Sequence, residues 1–425
     1  MRIAMLSWES MHSIAVGGIA AHVSGLAAAL ARQGHKVHVF TRRGSEQPMH
    51  ARMDGVHYHR CDYEPGDGLL DDVDRMNDAF LQRIWYVEQF TGFFDVVHGH
   101  DWLTATALAG LGEADRQRVM TIHSTEFGRC GNTFPDGMAH EVRMRERMGV
   151  EAADRVIAVS ETTRKEVAWM YEVPAEKSAA VFNGLDVGGF QLEGIDPGTV
   201  KRRYSLGPTD PTVLFCGRLM HQKGPDLLVE AIPSVLRYYP QARFIFAGDG
   251  GMRGELERRV RELGIAHAVR LLGYRSGMEL RELFHAAQVV CVPSRNEPFG
   301  IVVLEAWAAG KPVVTTQVGG PAEYVTHEHD GLKIYPNADS IAWGLGTIFK
   351  DFDRLRQMGR RGRQTLQEGF SWDAVAERTV EAYALGSQAP RATIPGAAIW
   401  AGESAGASAA MAAASERRRV PLLSA

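Results

Sequence analysis

The sequence predicts an α/β protein made of two doubly wound domains that face each other across a cleft. The chain has 425 residues, which is too long for one ordinary domain and fits two. Short apolar runs alternate with longer amphipathic stretches through most of it, the pattern of β-α units around a parallel sheet. These runs form two sets, and a segment rich in Gly, Pro and Asp separates them at 183–211.

The first set predicts a doubly wound domain over residues 1–190. Its helical stretches include 18–33 and 161–170, where apolar residues recur at helical spacing. Its strand candidates are 3–6, 37–40, 56–59, 95–97, 118–122, 155–159 and 180–182.

The second set predicts another doubly wound domain over 191–370, followed by a terminal helix over 371–385 that we expect to pack back toward the first domain. Helical stretches include 225–237 and 254–263. The strand candidates are 212–216, 243–247, 269–272, 289–292, 312–315 and 332–334. Residues 386–425 are rich in Ala, Ser and Gly, a composition that cannot bury enough surface to fold alone, so we expect a disordered tail.

Composition and charge exclude several classes of protein. Hydrophobic residues make up 45% and charged residues 23%, so a wholly disordered or fibrous chain is excluded. The formal net charge is -4, which gives no general attraction to nucleic acid. The four cysteines form no C-x-x-C pair, and no apolar run reaches membrane-spanning length. We therefore expect a cytoplasmic protein without a transmembrane segment; the oligomeric state stays open.

Two segments offer groups that could hold phosphate. Gly17 and Gly18 precede a predicted helix, whose first amides can meet an anion, although an ordinary strand-helix turn explains two glycines equally well. Arg218 and Lys223 follow the end of a predicted strand, where ligands of α/β proteins collect, and two cations suit a diphosphate. Plain solvation of a surface loop is the alternative for these two side chains.

Two carboxylates stand eight residues apart in the segment 293–306. Glu297 lies just before a predicted helix, and Glu305 lies about two turns further on, so both can line one rim of a cleft. The stretch around Glu305 is strongly apolar, and a carboxylate there needs a partner or a ligand hydroxyl because an unpaired buried charge is costly. An ordinary salt bridge within the protein is the alternative.

This segment resembles the E-x7-E signature of the family 4 retaining glycosyltransferases. The other segments that carry the resemblance are Gly217-Arg218 to Lys223-Gly224, Ala247-Gly248-Asp249-Gly250 and Asn183-Gly184-Leu185-Asp186. The resemblance covers residues 1–384 and implies the GT-B fold, in which the C-terminal domain holds a nucleotide sugar.

The resemblance also implies roles for the residues of the donor site. Arg218 and Lys223 would neutralise the diphosphate, Glu297 would meet hydroxyls of the donor sugar, and Glu305 would bind the ribose. Around these residues, the donor site would be completed by Gly17, Gly18, Gly273, Tyr274, Phe299, Gly300 and Ile301, with the backbone near Gly273 and Tyr274 beside the nucleobase.

The acceptor side is predicted in the first domain, at His100, Asp101 and His123. His123 matches the histidine that the family places beside the donor sugar, so we expect it to orient the sugar and stabilise the transition state; a hydrogen-bonded loop histidine is the alternative. The H-x-H-D segment at 98–101 could suggest a metal, but successive side chains of a strand alternate between faces, and we expect no metal and no cofactor.

The sequence therefore predicts a retaining transferase that moves a hexosyl group, glucosyl being favoured, from a nucleoside-diphosphate sugar to a hydroxyl acceptor. The catalytic residues would be Glu297, His123, Arg218 and Lys223. The segments 6–9 and 98–102 also look like glycogen and starch synthases, which makes an α-glucan one candidate acceptor, although Gly17-Gly18 lacks the preceding lysine of those enzymes. The alternatives are a sugar-nucleotide 2-epimerase of similar fold and a non-catalytic carbohydrate-binding regulator.

Overall fold

The computed structural model describes residues 1–112, 115–190, 192 and 194–386. Its first sheet has eight strands in the order β3-β4-β2-β1-β5-β6-β7-β8, and all pairs are parallel except β3 with β4. The strands are β1 (Arg2–Ser7), β2 (Lys36–Arg42), β3 (His50–Met53), β4 (Val56–Cys61), β5 (Val96–His100), β6 (Gln117–Ile122), β7 (Arg155–Ala158) and β8 (Ser178–Ala180).

Helices connect these strands, as parallel pairing requires. They are α1 (Gly18–Arg32), α2 (Leu69–Thr91), α3 (Ala105–Gly110), α4 (Glu126–Arg129), α5 (Met138–Ala152) and α6 (Glu161–Tyr171). The strand order changes direction at β1, because the chain crosses from β4 through α2 to β5 on the other side of β1. The carboxyl ends of β1, β5 and β6 therefore form the edge at which ligands of such sheets bind.

The second sheet has six parallel strands in the order β11-β10-β9-β12-β13-β14. These are β9 (Thr212–Cys216), β10 (Arg243–Ala247), β11 (Val269–Gly273), β12 (Val289–Val292), β13 (Val313–Thr316) and β14 (Gly331–Ile334). The helices of this part are α7 (Pro197–Arg203), α8 (Pro225–Tyr238), α9 (Arg253–Glu262), α10 (Gly277–Ala286), α11 (Ile301–Ala308), α12 (Pro321–Tyr324), α13 (Ala338–Phe349) and α14 (Phe352–Gly369). The fold class predicted from the sequence, α/β with two parallel-sheet Rossmann-like domains, is confirmed.

Two elements lie where the sequence pattern predicted none. Strand β3 forms an antiparallel hairpin with β4, and the turn is Asp54-Gly55, both at positive φ (52° and 80°), the pair that two-residue hairpin turns favour. Helix α7 lies inside the predicted linker; Asp196 accepts from the amides of Gly198 and Thr199, and Pro197 occupies the first turn. The turn and the cap are local sequence signals, but the strand and the helix beside them are too short to show a clear hydrophobic period.

A last helix, α15 (Trp372–Gly386), packs on α1 and on β6 and β7 of the first sheet. The Trp372 indole lies against Gly25 of α1, where an added Cβ would come within 2.3 Å of the ring. The Tyr383 hydroxyl is 2.8 Å from Nδ1 of His98 in β5. The tail predicted at 386–425 falls, apart from residue 386, outside the described residues. Among the helices that are described, none has the length and apolar character to span a membrane.

Glu323 joins the two parts of the chain by capping a helix of the other part. Its carboxylate accepts hydrogen bonds from the amides of Glu161 (2.9 Å) and Thr162 (2.6 Å) and from the Thr162 hydroxyl (2.6 Å), at the first turn of α6. Any opening of the cleft that separates α12 from α6 has to break these bonds.

We predict that Glu323→Ala lowers the free energy of unfolding by about 0.5–2 kcal/mol, the usual cost of a lost helix cap, and enlarges the radius of gyration in X-ray scattering. The carboxylate of Glu255, in the first turn of α9, is exposed and makes no hydrogen bond or ion pair within the described residues, so Glu255→Ala is the matched control. If the two variants had equal scattering profiles and equal stabilities, the hydrogen bonds of Glu323 would not hold the two parts of the chain together.

Candidate functional site

The carboxyl ends of β9 and β12 bring Lys223 and Glu297 together. Lys223 ends the turn His221–Lys223, and its ammonium donates to both carboxylate oxygens of Glu297, at 2.7 and 2.9 Å. The Ser294 hydroxyl donates to the same carboxylate at 2.8 Å. Glu297 is buried and Lys223 is 21% exposed on its side chain, so the pair is fixed at the wall of the site with the ammonium toward solvent. Two of the residues predicted to act on the donor therefore lie within hydrogen-bonding distance of each other.

Backbone packing fixes the loop that carries Glu297. Gly320 donates its amide to the Glu297 carbonyl at 2.8 Å, and a Cβ at Gly319 would lie only 1.9 Å from that carbonyl oxygen. Gly300 has a φ of 85°, which turns the chain into α11. Within the described residues, the amides of Phe299 and Gly300 donate to no protein acceptor. They are thus available to an anion at the start of α11.

The Phe299 side chain has a structural role instead of facing a ligand. It is 3% exposed and packs against the rings of Tyr324 and Phe182, with centroids 5.3 and 5.9 Å away. The Tyr324 hydroxyl donates to the Phe299 carbonyl at 2.7 Å. A contribution of Phe299 to donor binding is therefore limited to its amide.

Arg218 lies just after the carboxyl end of β9. Its guanidinium is exposed and makes no hydrogen bond or ion pair with any described residue. Arg295, by contrast, binds Asp226 through two contacts of 2.9 and 2.5 Å and is occupied in holding the loop. Unlike Arg295, Arg218 therefore has a guanidinium with capacity for an anion such as a diphosphate.

Glu305 is a half-buried carboxylate in an apolar helix. It lies in α11 among Val303, Leu304 and Ala306, and its side chain makes no hydrogen bond to the described residues. Burial raises its pKa to about 7, while the charge of Arg281 opposes the rise. The salt bridge considered as the alternative is absent from the described residues, and the carboxylate is available to ligand hydroxyls.

We predict that Glu305→Gln stabilises the protein at pH 8 and does so less at pH 5. The pKa of Glu305 is raised in the folded state, so the folded protein retains a proton that the unfolded chain has lost, and the stabilising contribution of the protonated form disappears as pH rises through about 7. Gln has no such charge to bury. Thermal unfolding of both proteins at the two pH values checks this, and a larger gain at pH 5 would contradict it.

The amides at the start of α1 are bound by a side chain that the sequence analysis did not identify. Glu9 accepts hydrogen bonds from the amides of Val16 (2.6 Å) and Gly17 (2.8 Å) through one carboxylate oxygen. Gly17, predicted to meet a donor phosphate, thus meets Glu9 in the structure. Gly18 lies against α11, where an added Cβ would come within 3.2 Å of Cδ1 of Ile301. Gly18 and Ile301 therefore meet across the cleft.

Gly273 and Tyr274 follow β11. Gly273 has a φ of 75°, and its carbonyl accepts from the Gly248 amide at 2.9 Å. The Tyr274 ring is 62% exposed. The two residues lie at the carboxyl edge of the same sheet as Arg218, beyond β10.

On the first sheet, Asp101 fixes the position of His123. Asp101 is buried, has a φ of 59° that is rare for a non-glycine residue, and accepts the His123 amide at 2.7 Å. Burial raises its pKa to about 6. Nδ1 of His100 lies 3.2 Å from Nε2 of His123, so the three predicted acceptor-side residues are brought together.

Two further residues, His22 and Asn183, belong to this cluster, and of these His22 carries no motif in the sequence. His22 of α1 lies with its ring centroid 4.6 Å from that of His123, and its Nδ1 is 2.7 Å from Oδ1 of Asn183. Burial lowers the pKa of His22 and His100 well below the usual value and that of His123 to about 3, so all three rings are neutral at neutral pH. In the sequence, His22 is one residue of a predicted amphipathic helix, and only the sheet topology places it beside His100.

Along β5 the alternation of side chains brings the two histidines of the H-x-H-D segment together and does not separate them, contrary to the expectation from the sequence. His98 and His100 are two residues apart on β5, share a face and stack with centroids 4.4 Å apart. His98 is committed to structural bonds, with Tyr383 at one ring nitrogen and Thr121 at the other, 2.6 Å away.

Fold and site together define an enzyme of GT-B architecture that acts on a nucleotide sugar. Residues 16–188 match the family described as Glycosyltransferase Family 4, and residues 199–365 match Glycosyl transferases group 1. The chain belongs to this family of retaining glycosyltransferases.

Curated relatives cover nearly the whole chain. An uncharacterized glycosyltransferase of Methanocaldococcus jannaschii is 36% identical over 389 residues, 91% of this chain and 98% of the relative. The glycogen synthase of Mycobacterium tuberculosis is 29% identical over 412 residues, 93% and 97% of the two chains. The D-inositol 3-phosphate glycosyltransferase of Kineococcus radiotolerans is 36% identical over 398 residues, 86% and 90%.

Solved structures match over a similar extent. Sucrose-phosphate synthase from Thermosynechococcus elongatus superposes with a TM-score of 0.75 at 25% identity, covering 90% of this chain and 98% of that one. The catalytic domain of starch synthase IV from Arabidopsis thaliana, bound to ADP and acarbose, gives a TM-score of 0.73 at 17% identity, covering 91% and 99%. Anabaena HepE in complex with UDP-glucose gives a TM-score of 0.73 at 20% identity, covering 90% and 99%.

Proposed function

We propose that the enzyme transfers a glucosyl group, with retention of configuration, from a nucleoside-diphosphate glucose to a hydroxyl of an uncharged carbohydrate. An α-glucan is the first candidate acceptor. The relatives offer two kinds of acceptor to choose between: one relative is named for glycogen and the other for an inositol phosphate.

The observation that carries the choice between them is the charge of the acceptor side. Glu9 and Asp101 are buried there, and the charge of Asp101 contributes to raising the pKa of Glu9, whose largest cause is burial. Carboxylates accept hydrogen bonds from sugar hydroxyls and repel a phosphate.

The arginines of this region are already bonded to the protein. Arg42 donates to the Trp8 carbonyl at 2.7 Å and stacks on the Trp8 ring, and Arg129 binds Glu126 and Glu146, each at 2.6 Å. A phosphorylated acceptor would require at least one of them to give up these partners. An uncharged polyol would not.

On this proposal, transfer proceeds on one face of the sugar. Arg218, Lys223 and the amides of Phe299 and Gly300 stabilise the charge that develops on the departing diphosphate, the electrostatic effect that contributes most in such sites. Glu297 holds sugar hydroxyls instead of attacking the anomeric carbon, because Lys223 and Ser294 fix its carboxylate at the wall. The departing phosphate oxygen then accepts the acceptor's proton.

The experiment combines ADP-, UDP- and GDP-glucose with two acceptors, maltoheptaose and inositol 3-phosphate, and separates the products by chromatography. We expect elongation of maltoheptaose with one of the donors and no product with inositol 3-phosphate. Transfer to the phosphate alone would contradict the proposal. Release of a 2-epimeric sugar without any acceptor would support the epimerase instead, and donor binding with neither transfer nor hydrolysis would support a regulator.

A further inference from the structure

The three histidines His22, His100 and His123 form a cluster whose geometry goes beyond what sugar transfer requires. They come from α1, from the end of β5 and from the loop after β6. One ring nitrogen of each histidine lies within 4.8 Å of one ring nitrogen of both others. Among the described residues this is the one group of three or more His, Cys, Asp or Glu side chains that meets this criterion.

Two of the ring nitrogens are buried and have no hydrogen-bond partner among the described residues. These are Nε2 of His22, whose residue is 3% exposed, and Nε2 of His100, whose residue is 1% exposed. Buried polar atoms of this kind are normally paired, and each one without a partner requires an explanation such as an ion or a water.

The tautomer of His22 follows from its other nitrogen. The Oδ1 atom of Asn183 can only accept, so Nδ1 of His22 carries the proton and donates at 2.7 Å. Its Nε2 therefore has a free lone pair directed into the cluster, and a hydrogen bond that fixes the far nitrogen of a histidine is the usual support of a metal ligand.

We propose that His22, His100 and His123 bind one divalent transition-metal ion, with Zn²⁺ the best fit. Three neutral imidazoles are ligands that zinc accepts, and they leave a fourth position for water or a substrate oxygen. Zinc-nitrogen bonds of about 2.0–2.1 Å require small ring rotations from the present separations. The hydrogen bond between His100 and His123 would be exchanged for metal bonds, and the partly exposed His123 gives the ion access from the cleft.

This site differs from the metal site that the sequence analysis considered and set aside. The metal considered there would have been held by the H-x-H-D segment alone, and His98 and Asp101 of that segment are engaged in other hydrogen bonds. The cluster becomes visible only when α1 brings His22 to the end of the sheet.

The test uses the full chain stripped of metal with a chelator and then titrated with Co²⁺ and with Zn²⁺. We expect one Co²⁺ per chain with the strong visible absorption of a four-coordinate ion, and displacement of that absorption by one equivalent of Zn²⁺. Absence of the visible bands, or a stoichiometry well below one, would overturn the proposal and identify water as the partner of the buried nitrogens.

Variants assign the ligands. His22→Gln and His100→Gln should each weaken Zn²⁺ binding at least tenfold in competition with a chromophoric chelator, and the double variant should abolish it. The matched control is His50→Gln, in a second histidine group on β2–β4 where Nε2 of His50 is 3.1 Å from Nδ1 of His57. An unchanged affinity in the double variant, or loss of binding in the control, would overturn the assignment. Because the wild-type spectrum is recorded separately, a variant that fails to fold leaves the test intact.

One consequence depends on the proposed function. A metal held by His123 blocks the place where the resemblance puts the donor sugar, so stoichiometric Zn²⁺ should inhibit transfer and a chelator should restore it. Co²⁺ binding without any transfer in the metal-free protein would refute the proposed function while leaving the metal site standing. Transfer without Co²⁺ binding would do the reverse.

Discussion

Arg218→Ala is expected to lower the rate of sugar transfer by about a hundredfold or more, the usual cost of removing a group that stabilises charge developing in the transition state. Its guanidinium is exposed and bonded to no described residue, so the change removes no bond from the folded protein. The free energy of unfolding should therefore stay within about 0.5 kcal/mol of the wild type, as for other surface substitutions. Initial rates at saturating donor, together with denaturant unfolding, measure both quantities.

Arg361→Ala is the control for this variant. Arg361 lies on α14, is exposed and has no hydrogen bond or ion pair with a described residue, so it shares the properties of Arg218 except its place at the end of β9. Equal rates for the Arg218 and Arg361 variants would show that Arg218 does not act on the diphosphate.

Gly319→Ala is expected to reduce transfer by about a hundredfold through a backbone displacement, since a shift of about 1 Å in a catalytic group can have this effect. The new Cβ would lie 1.9 Å from the Glu297 carbonyl oxygen, a distance that no side-chain rotation relieves. The loop must move, and Glu297 moves with it. Rates and unfolding free energies of the variant measure the two effects.

Gly264→Ala is the control, because it introduces the strain of a side chain on a left-handed backbone without the steric clash expected at Gly319. Gly264 has a φ of 68°, close to the 65° of Gly319, and an added Cβ there would meet nothing within 4 Å. It should lose about 1–2 kcal/mol of stability, the usual cost of this conformation with a side chain, and keep its activity. If the Gly319 variant also kept full activity, the loop would not depend on this contact.

The sequence was sufficient to predict secondary-structure elements that have a clear hydrophobic pattern. All six strands of the second sheet lie within one residue of their predicted bounds, because buried parallel strands are continuous apolar runs. The prediction of donor residues rests on a different signal: Arg218, Lys223, Glu297 and Glu305 lie on two short segments with a recognisable signature.

What the sequence could not provide depends on contacts between distant segments. Glu9 reads as an ordinary acid after a strand, and only the fold of the loop 10–17 places it on the Val16 and Gly17 amides. His22 and Asn183 are 161 positions apart in the sequence, and their side chains form a hydrogen bond only in the folded protein. Pairings of this kind leave no periodicity and no local motif.

The central claim is that this site transfers a glucosyl group with retention. The measurement that tests it most directly is the proton NMR spectrum of the product formed from an α-linked nucleoside-diphosphate glucose and maltoheptaose, recorded during the first turnovers. We predict a new anomeric signal with the small coupling constant of an α-glucoside. A signal with the large coupling of a β-glucoside would contradict the account, since the configuration would then have been inverted.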